Sequence, residues 1–140
     1  MRKRFLPLGL IAAMLIILCG GTALASETRA SKTLSRYSAI ALSGDNEGEF
    51  KITYDVLASG IADEVGVSSI KIYKSNGSYV TTITGTTGNG MLRTEASRHS
   101  ATYTYEGTSG VTYYAEVTVY AKIGSDSDSR TVKTGTAKAP

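Results

Sequence analysis

The stretch Gly110-Val-Thr-Tyr-Tyr-Ala-Glu-Val-Thr-Val-Tyr-Ala-Lys-Ile123 has the most regular pattern in the chain. One side of a period-two alternation is apolar or aromatic, and its members are Val111, Tyr113, Ala115, Val117, Val119, Ala121 and Ile123. The polar members of the other side are Thr112, Glu116, Thr118 and Lys122. Because successive side chains of a strand point to opposite faces, this alternation predicts a half-buried β-strand that faces a hydrophobic core.

The polar side of this strand also carries two large rings, Tyr114 and Tyr120. Tyr73 belongs to a strand that we expect beside it, and its ring can point from the same face of the sheet. Outward rings either pair across strands and stiffen the sheet, or form a platform for a glycan, a peptide or another copy of the protein. Both interpretations stay open, and Tyr73, Tyr114 and Tyr120 are the candidate ligand-binding residues.

Further β-prone runs surround the central strand and indicate an all-β fold. They are residues 36–42, 50–56, 70–73, 79–84, 100–105 and 130–136. Residues 70–73 and 79–84 flank Asn76-Gly77, which tolerates the positive φ of a tight turn and so predicts a hairpin.

The segments between these runs are expected to be irregular. Residues 58–66 are interpreted as a turn or a single helical turn, residues 85–97 as a long crossing loop, and residues 124–129 as a turn. About seven strands without helical periodicity predict an antiparallel, two-sheet, immunoglobulin-like sandwich.

The end of the chain resembles a fibronectin type III domain. The resemblance rests on Gly110, Tyr113, the alternating residues that follow, and Gly124-Ser125, with support from residues 69–84. It implies that Tyr113 forms a tyrosine corner, in which its hydroxyl bonds to upstream backbone, and that Tyr113 is structural. The chain has no tryptophan, a residue common early in that family, so the resemblance supports the broader immunoglobulin-like class.

The first residues have the pattern of a secretory signal. Arg2, Lys3 and Arg4 precede an apolar run over residues 5–18, and Ala23-Leu24-Ala25 matches the small-x-small pattern of signal peptidase sites. The run is shorter than an ordinary membrane span. We therefore expect residues 1–25 to be removed, leaving a secreted protein without a membrane span.

Cys19 offers an alternative, a lipid-anchored protein. It is the only cysteine, and bacterial lipoproteins carry their lipid on such a residue. That processing needs a small residue before the cysteine, where this chain has Leu18. Secretion is therefore the preferred interpretation.

Removal of residues 1–25 changes the charge balance. It takes away three of the 15 basic residues and none of the 12 acidic ones, which leaves equal numbers of each. A neutral chain gives no basic surface for a nucleic-acid partner. Residues 26–35 are interpreted as a flexible leader and residues 36–140 as a single domain, held together by its core without disulfides.

The signal, the leader with its run Glu27-Thr28-Arg29-Ala30-Ser31, and the single domain together resemble a family of short, uncharacterised secreted proteins of Gram-positive bacteria. That resemblance implies no known activity.

Residues suited to catalysis are scarce. His99 is the only histidine, so a zinc site would have just one histidine ligand. A serine triad would have to use His99 as its base, and the chain has no G-x-S-x-G pattern for the nucleophile. The glycine-rich residues 85–90 lack the Lys-Ser/Thr ending of a phosphate-binding loop. Asp45, Glu47 and Glu49 lie in a turn region, where solvated acids are ordinary. The expectation is a protein that is not an enzyme and has no cofactor.

Asp126 and Asp128 are the candidate for a calcium site, because they place two carboxylates two residues apart. Calcium takes six to eight oxygen ligands, and the run lacks the remaining ligands of a calcium-binding loop. A polar turn without a metal is the preferred interpretation.

These observations favour a secreted, non-catalytic binding or adhesion module whose ligand is a glycan, a cell-wall component or a protein surface. The alternative is a structural extracellular protein that assembles with itself. A hydrolase of glycans or cell walls is the third and least favoured class.

Overall fold

A computed structural model describes residues 30–140, and the expected signal peptide and the Cys19 anchor lie outside these residues. The described part contains seven strands: β1 (Leu34–Ser43), β2 (Glu49–Lys74), β3 (Tyr79–Thr84), β4 (Leu92–Glu106), β5 (Thr112–Ile123), β6 (Asp126–Lys133) and β7 (Ala137–Lys138). All neighbouring strands are antiparallel. The all-β class and the approximate strand number are confirmed.

The 26-residue strand β2 connects almost every other strand. Its first part pairs with β1 and β4, and its last part pairs with β3 and β5. β5 in turn pairs with β6 and β7. The strands therefore form one curled half-barrel sheet, where the sequence predicted two separate sheets, because β2 does not break between its two parts.

A large bulge in β2 replaces the turn expected over residues 58–66. Leu57 pairs with Arg98 of β4, and the next pair is Ala62 with Ala96, so four residues of β2 lie opposite a single residue of β4. Extra residues on one strand bend it and increase its twist. The bulge interrupts the apolar alternation at this point, which is why the sequence pattern looked like a strand end.

The curl brings the inner faces of the sheet into one hydrophobic core. Its fully buried side chains include Phe50, Ile52, Tyr54 and Val56 of early β2, Ile70 and Ile72 of late β2, Met91, and Val117 and Val119 of β5. The inner face predicted for β5 is confirmed, since Tyr113, Ala115, Val117, Val119 and Ala121 are all buried.

The hairpin at Asn76-Gly77 is confirmed, with Gly77 at a φ of 91° and its N–H donating to the Lys74 carbonyl at 2.9 Å. Two other loops are shorter than expected, because β4 begins at Leu92 and β6 at Asp126. The early parts of β4 and β6 each pair with only one neighbouring strand and carry mostly polar side chains. They therefore lack the apolar alternation from which a strand could be predicted.

The domain also begins earlier than the predicted boundary at residue 36. Thr33 and Leu34 are buried, and the Thr33 hydroxyl donates to the Ala121 carbonyl at 2.9 Å. The Ser59 N–H donates to the Thr33 carbonyl at 2.9 Å. The residues just before β1 are thus packed onto the domain and do not belong to a flexible leader.

Tyr113 has the structural position that the resemblance implied. Only 2% of it is exposed, and its hydroxyl accepts a hydrogen bond from the upstream Thr108 N–H at 3.0 Å. Its ring packs against Phe50 and Tyr105, with ring centroids 5.6 and 5.7 Å away. A side chain at Gly107 would meet this ring, since an added Cβ would lie 2.9 Å from it.

Replacing Tyr113 with Phe removes only the hydroxyl, and leaves the Thr108 N–H without its partner. We expect a loss of about 1 kcal/mol in the free energy of unfolding, measured by denaturant titration. Tyr103→Phe is the control, because within residues 30–140 the Tyr103 hydroxyl has no hydrogen-bond partner. Equal midpoints for Tyr113→Phe and the wild type would refute a stabilising role for this bond.

Candidate functional site

The three predicted site tyrosines all lie on the outer face of the sheet, but only two of them meet. Tyr73 of β2 is directly paired with Tyr114 of β5. Tyr120 lies six residues further along β5, which corresponds to about 20 Å at the rise of a strand. The structure therefore joins Tyr73 and Tyr114 and leaves Tyr120 apart.

Tyr73 and Tyr114 stack face to face, with ring centroids 5.2 Å apart and planes 11° from parallel. Tyr79 of β3 extends the row, since its ring lies 5.8 Å from that of Tyr73 in an edge-on arrangement. We call Tyr73, Tyr79 and Tyr114 the tyrosine ladder. It follows one row of cross-strand neighbours over β3, β2 and β5, where such pairs stabilise a sheet.

Tyr79 was missed in the sequence analysis, although a signal for it existed. It is the first residue of β3, and the hairpin register places it opposite Tyr73. It is also the most exposed member of the ladder, with 60% of its surface accessible.

A charged row borders the ladder on the same face. Glu116 of β5 is paired with Lys71 of β2 on one side and Lys133 of β6 on the other. The Lys133 ammonium lies 4.6 Å from the centre of the Tyr114 ring, a cation–π contact. The Tyr73 hydroxyl approaches Glu116 Oε2 at 3.5 Å, and loss of hydration together with that carboxylate raises the pKa of Tyr73.

The ring faces in the ladder are largely used within the protein. The stack covers one face each of Tyr73 and Tyr114, and Lys133 lies over Tyr114. The Tyr79 hydroxyl bonds to Thr82 Oγ1 at 2.7 Å, as the Tyr73 hydroxyl does to Glu116, so the groups that remain for a partner are the ring edges, the Tyr114 hydroxyl, the exposed ring of Tyr79 and the charged row. This arrangement stiffens the sheet and at the same time exposes an amphipathic surface.

Tyr120 has a different environment. It is half-buried and lies between Gly66 of β2 and Ser129 of β6, two residues with small or absent side chains. Among the described residues no ring contact joins Tyr120 to the ladder.

His99 is half-buried on the inner side of β4. Its Nε2 lies 2.6 Å from the Gly90 carbonyl and must carry a proton, because a carbonyl only accepts. The ring lies 6.0 Å from Tyr54, whose pKa is raised to about 12 by burial. His99 thus holds the loop before β4 through its Nε2.

The carboxylate of Asp128 is hydrogen-bonded within the protein. Its Oδ2 accepts hydrogen bonds from Ser31 Oγ at 2.7 Å and from the Lys32 N–H at 2.9 Å, and these bonds lower its pKa. Asp126 is exposed at the start of β6. Within the described range, no three acidic, histidine or cysteine side chains converge as a metal site would require.

The acidic turn between β1 and β2 is likewise internally bonded. Glu49 Oε2 accepts from the backbone N–H groups of Asp45 and Asn46 at 3.2 and 3.1 Å, and its pKa is lowered mainly by hydrogen bonds from Asn46. Asp45 forms an ion pair with Lys51. These carboxylates shape the turn.

Comparison of the chain with protein-family models, with curated proteins and with solved structures finds no match in any of the three. Residues 30–140 include no helix with the length and hydrophobicity that a bilayer crossing requires.

The ladder predicts that two outward tyrosines of β5 differ in their effect on stability. Tyr114→Thr removes the stack with Tyr73 and the cation–π contact, whereas Tyr120→Thr leaves both in place. Since threonine suits a strand, we expect Tyr114→Thr to cost about 1 kcal/mol more than Tyr120→Thr in denaturant unfolding. Equal losses would show that the ladder adds nothing to stability.

The hydrogen bonds to the Asp128 carboxylate predict that its contribution to stability depends on pH. Its pKa is lower in the folded protein than in the unfolded chain, so its contribution is complete above the unfolded value and is lost as the pH falls through the folded value. Asp128→Asn should therefore be less stable than the wild type at pH 7, and thermal melts of the two should converge as the pH falls below the ordinary range of carboxyl groups. Asp126→Asn is the control, because it removes the same charge without touching the bonds to Ser31 and Lys32. A stability gap for Asp128→Asn that is constant with pH would contradict this role.

Proposed function

We propose that this protein is a secreted, non-catalytic binding or adhesion module and that the tyrosine ladder with its charged row is the contact surface. The observation that carries the proposal is the amphipathic outer face, on which aromatic edges and hydroxyls lie beside Lys71, Glu116 and Lys133. Tyrosine is enriched at protein contacts because it offers a large, rigid surface with a polar tip.

The ring arrangement favours a protein surface over a glycan as the ligand. A sugar stacks on an open ring face, and the stack uses one face each of Tyr73 and Tyr114, with Lys133 over the Tyr114 ring. Ring edges, hydroxyls and charges of both signs match the mixed polar and apolar surface of a folded protein. A cell-wall component or another glycan is therefore the less favoured ligand for such a binding module.

The signal-like pattern of residues 1–25 supports the extracellular placement, with a lipid anchor at Cys19 as the alternative. The proposed kinship with immunoglobulin-like sandwiches is supported by the buried Tyr113 and its upstream hydrogen bond, and by the core shared between the two parts of β2. The non-catalytic assignment is supported by the engagement of His99 and of the turn carboxylates inside the fold.

Attachment of the purified protein to intact cells of the producing organism, to the same cells after protease treatment, and to isolated cell walls tests the proposal. We expect attachment that is lost after protease treatment and weakened about tenfold or more in Tyr79→Thr, because an exposed aromatic anchor is removed. Tyr120→Thr is the matched control and should attach like the wild type. Equal attachment of Tyr79→Thr and the wild type would remove the ladder as the site, and binding to isolated walls alone would favour the glycan ligand.

A self-assembling structural protein is the second candidate function. It is supported by the edges of the sheet, since among the described residues β1, β3, β4 and β6 each lie at an edge. Such edges present unpaired backbone groups to solvent.

A further inference from the structure

The edge strands differ in how well they are protected against another strand. β4 carries Arg93 and Arg98, and Glu95 adopts a left-handed φ of 50° that distorts the edge. β6 carries charges of both signs along its length, and β3 has only six residues. Charges, backbone irregularities and short length are the usual devices that keep sheet edges from pairing.

β1 has none of these devices over residues 37–43. This run reads Tyr-Ser-Ala-Ile-Ala-Leu-Ser, without charge, glycine or proline. Within the described chain, β1 pairs with β2 alone. Ile40 and Leu42 are 52% and 46% exposed on its outer face. An uncharged, β-prone edge with exposed apolar side chains is the kind of edge that recruits a further strand.

We propose that β1 pairs antiparallel with β1 of a second copy of this chain, so that the sheet continues across a symmetric dimer. The inference rests on the second candidate function, self-assembly, and names the surface that would carry it. A two-fold contact uses the same patch on both copies, which is the commonest arrangement of homodimers.

Charge complementarity identifies a second copy in antiparallel orientation as the occupant. Arg36 lies near the beginning of β1, and the turn directly after its end carries the exposed acids Glu47 and Asp45, of which Asp45 also pairs with Lys51. Antiparallel pairing brings Arg36 of each copy towards the acidic turn of the other. Parallel pairing would instead place like charges side by side.

The register follows from the faces of the strand. Outer residues must lie opposite outer residues, because a slip by one residue would set Ile40 against an inner residue. A two-fold axis at Ile40 places it opposite Ile40 of the second copy and Leu42 opposite Ser38, over residues 37–43. Leu42 is then diagonal to Ile40 of the second copy, within the reach of cross-strand contacts.

A contact through seven residues of one strand is small compared with the roughly 1,600 Å² of a standard stable interface. The dimer is therefore weak and forms at high protein concentration.

Sedimentation velocity of the protein produced from the full chain, from about 5 μM to 1 mM, tests the pairing together with two variants. Ile40→Lys introduces a charge that protects natural edge strands, and should weaken dimer formation about tenfold or more. Ile61→Lys is the matched control, because Ile61 is 76% exposed in the bulge of β2 and lies off the β1 edge. It should dimerise like the wild type. Circular dichroism melts check that both variants fold.

Amide hydrogen exchange of the wild type tests the same pairing without relying on any variant. The amides of β1 should exchange more slowly at 1 mM than at 5 μM, while those of β4, at another edge, should not change.

The outcomes separate this surface from self-assembly in general. Dimers of the wild type and Ile61→Lys but not of Ile40→Lys support pairing through β1. Equal association of all three proteins, or equal loss in both variants, overturns β1 pairing and leaves self-assembly standing. A wild type that remains monomeric at 1 mM overturns both.

Discussion

The structure depends on the unbroken backbone pairing of β2 through its bulge at residues 58–61. A straight strand of 26 residues would extend over about 85 Å, far too long to enclose a small core. The bulge bends β2, so that its two parts contribute to one core. Hydrogen bonds to residues outside β2 also stabilise the bend. Ser59 donates its N–H to Thr33 and its hydroxyl to Lys32, and the same short segment is held at its other side by Asp128 of β6.

The candidate site is a consequence of the same pairing. Because β2 aligns β3 on one edge and β5 on the other, Tyr79, Tyr73 and Tyr114 fall into one row across three strands. Lys133 of β6 adds a cation at the end of that row. The ladder therefore stabilises the sheet and displays an aromatic and charged surface through one set of side chains, and the two interpretations of these tyrosines do not exclude each other.

The central strand, the hairpin at Asn76-Gly77 and the buried Tyr113 could be predicted because each is encoded by neighbours in the sequence. The continuous sheet could not be predicted, because a bulge interrupts the alternation of apolar and polar residues in the same way as the end of a strand. The early starts of β4 and β6 were missed for a related reason, since edge strands with polar side chains carry no apolar pattern. Asp128 was interpreted as a polar turn residue because its partners, Ser31 and Lys32, lie almost a hundred residues earlier in the chain.

By itself, the sequence determined the all-β class, the inner face of β5 and the scarcity of histidine and cysteine, with His99 and Cys19 the only ones, since these follow from local periodicity and composition. Only the tertiary structure decided that two of the three nominated tyrosines stack, that Tyr79 joins them and that Tyr120 does not. The reason is register. Side-chain alternation assigns each residue to a face of the sheet, but hydrogen bonding between strands decides which residues of that face become neighbours.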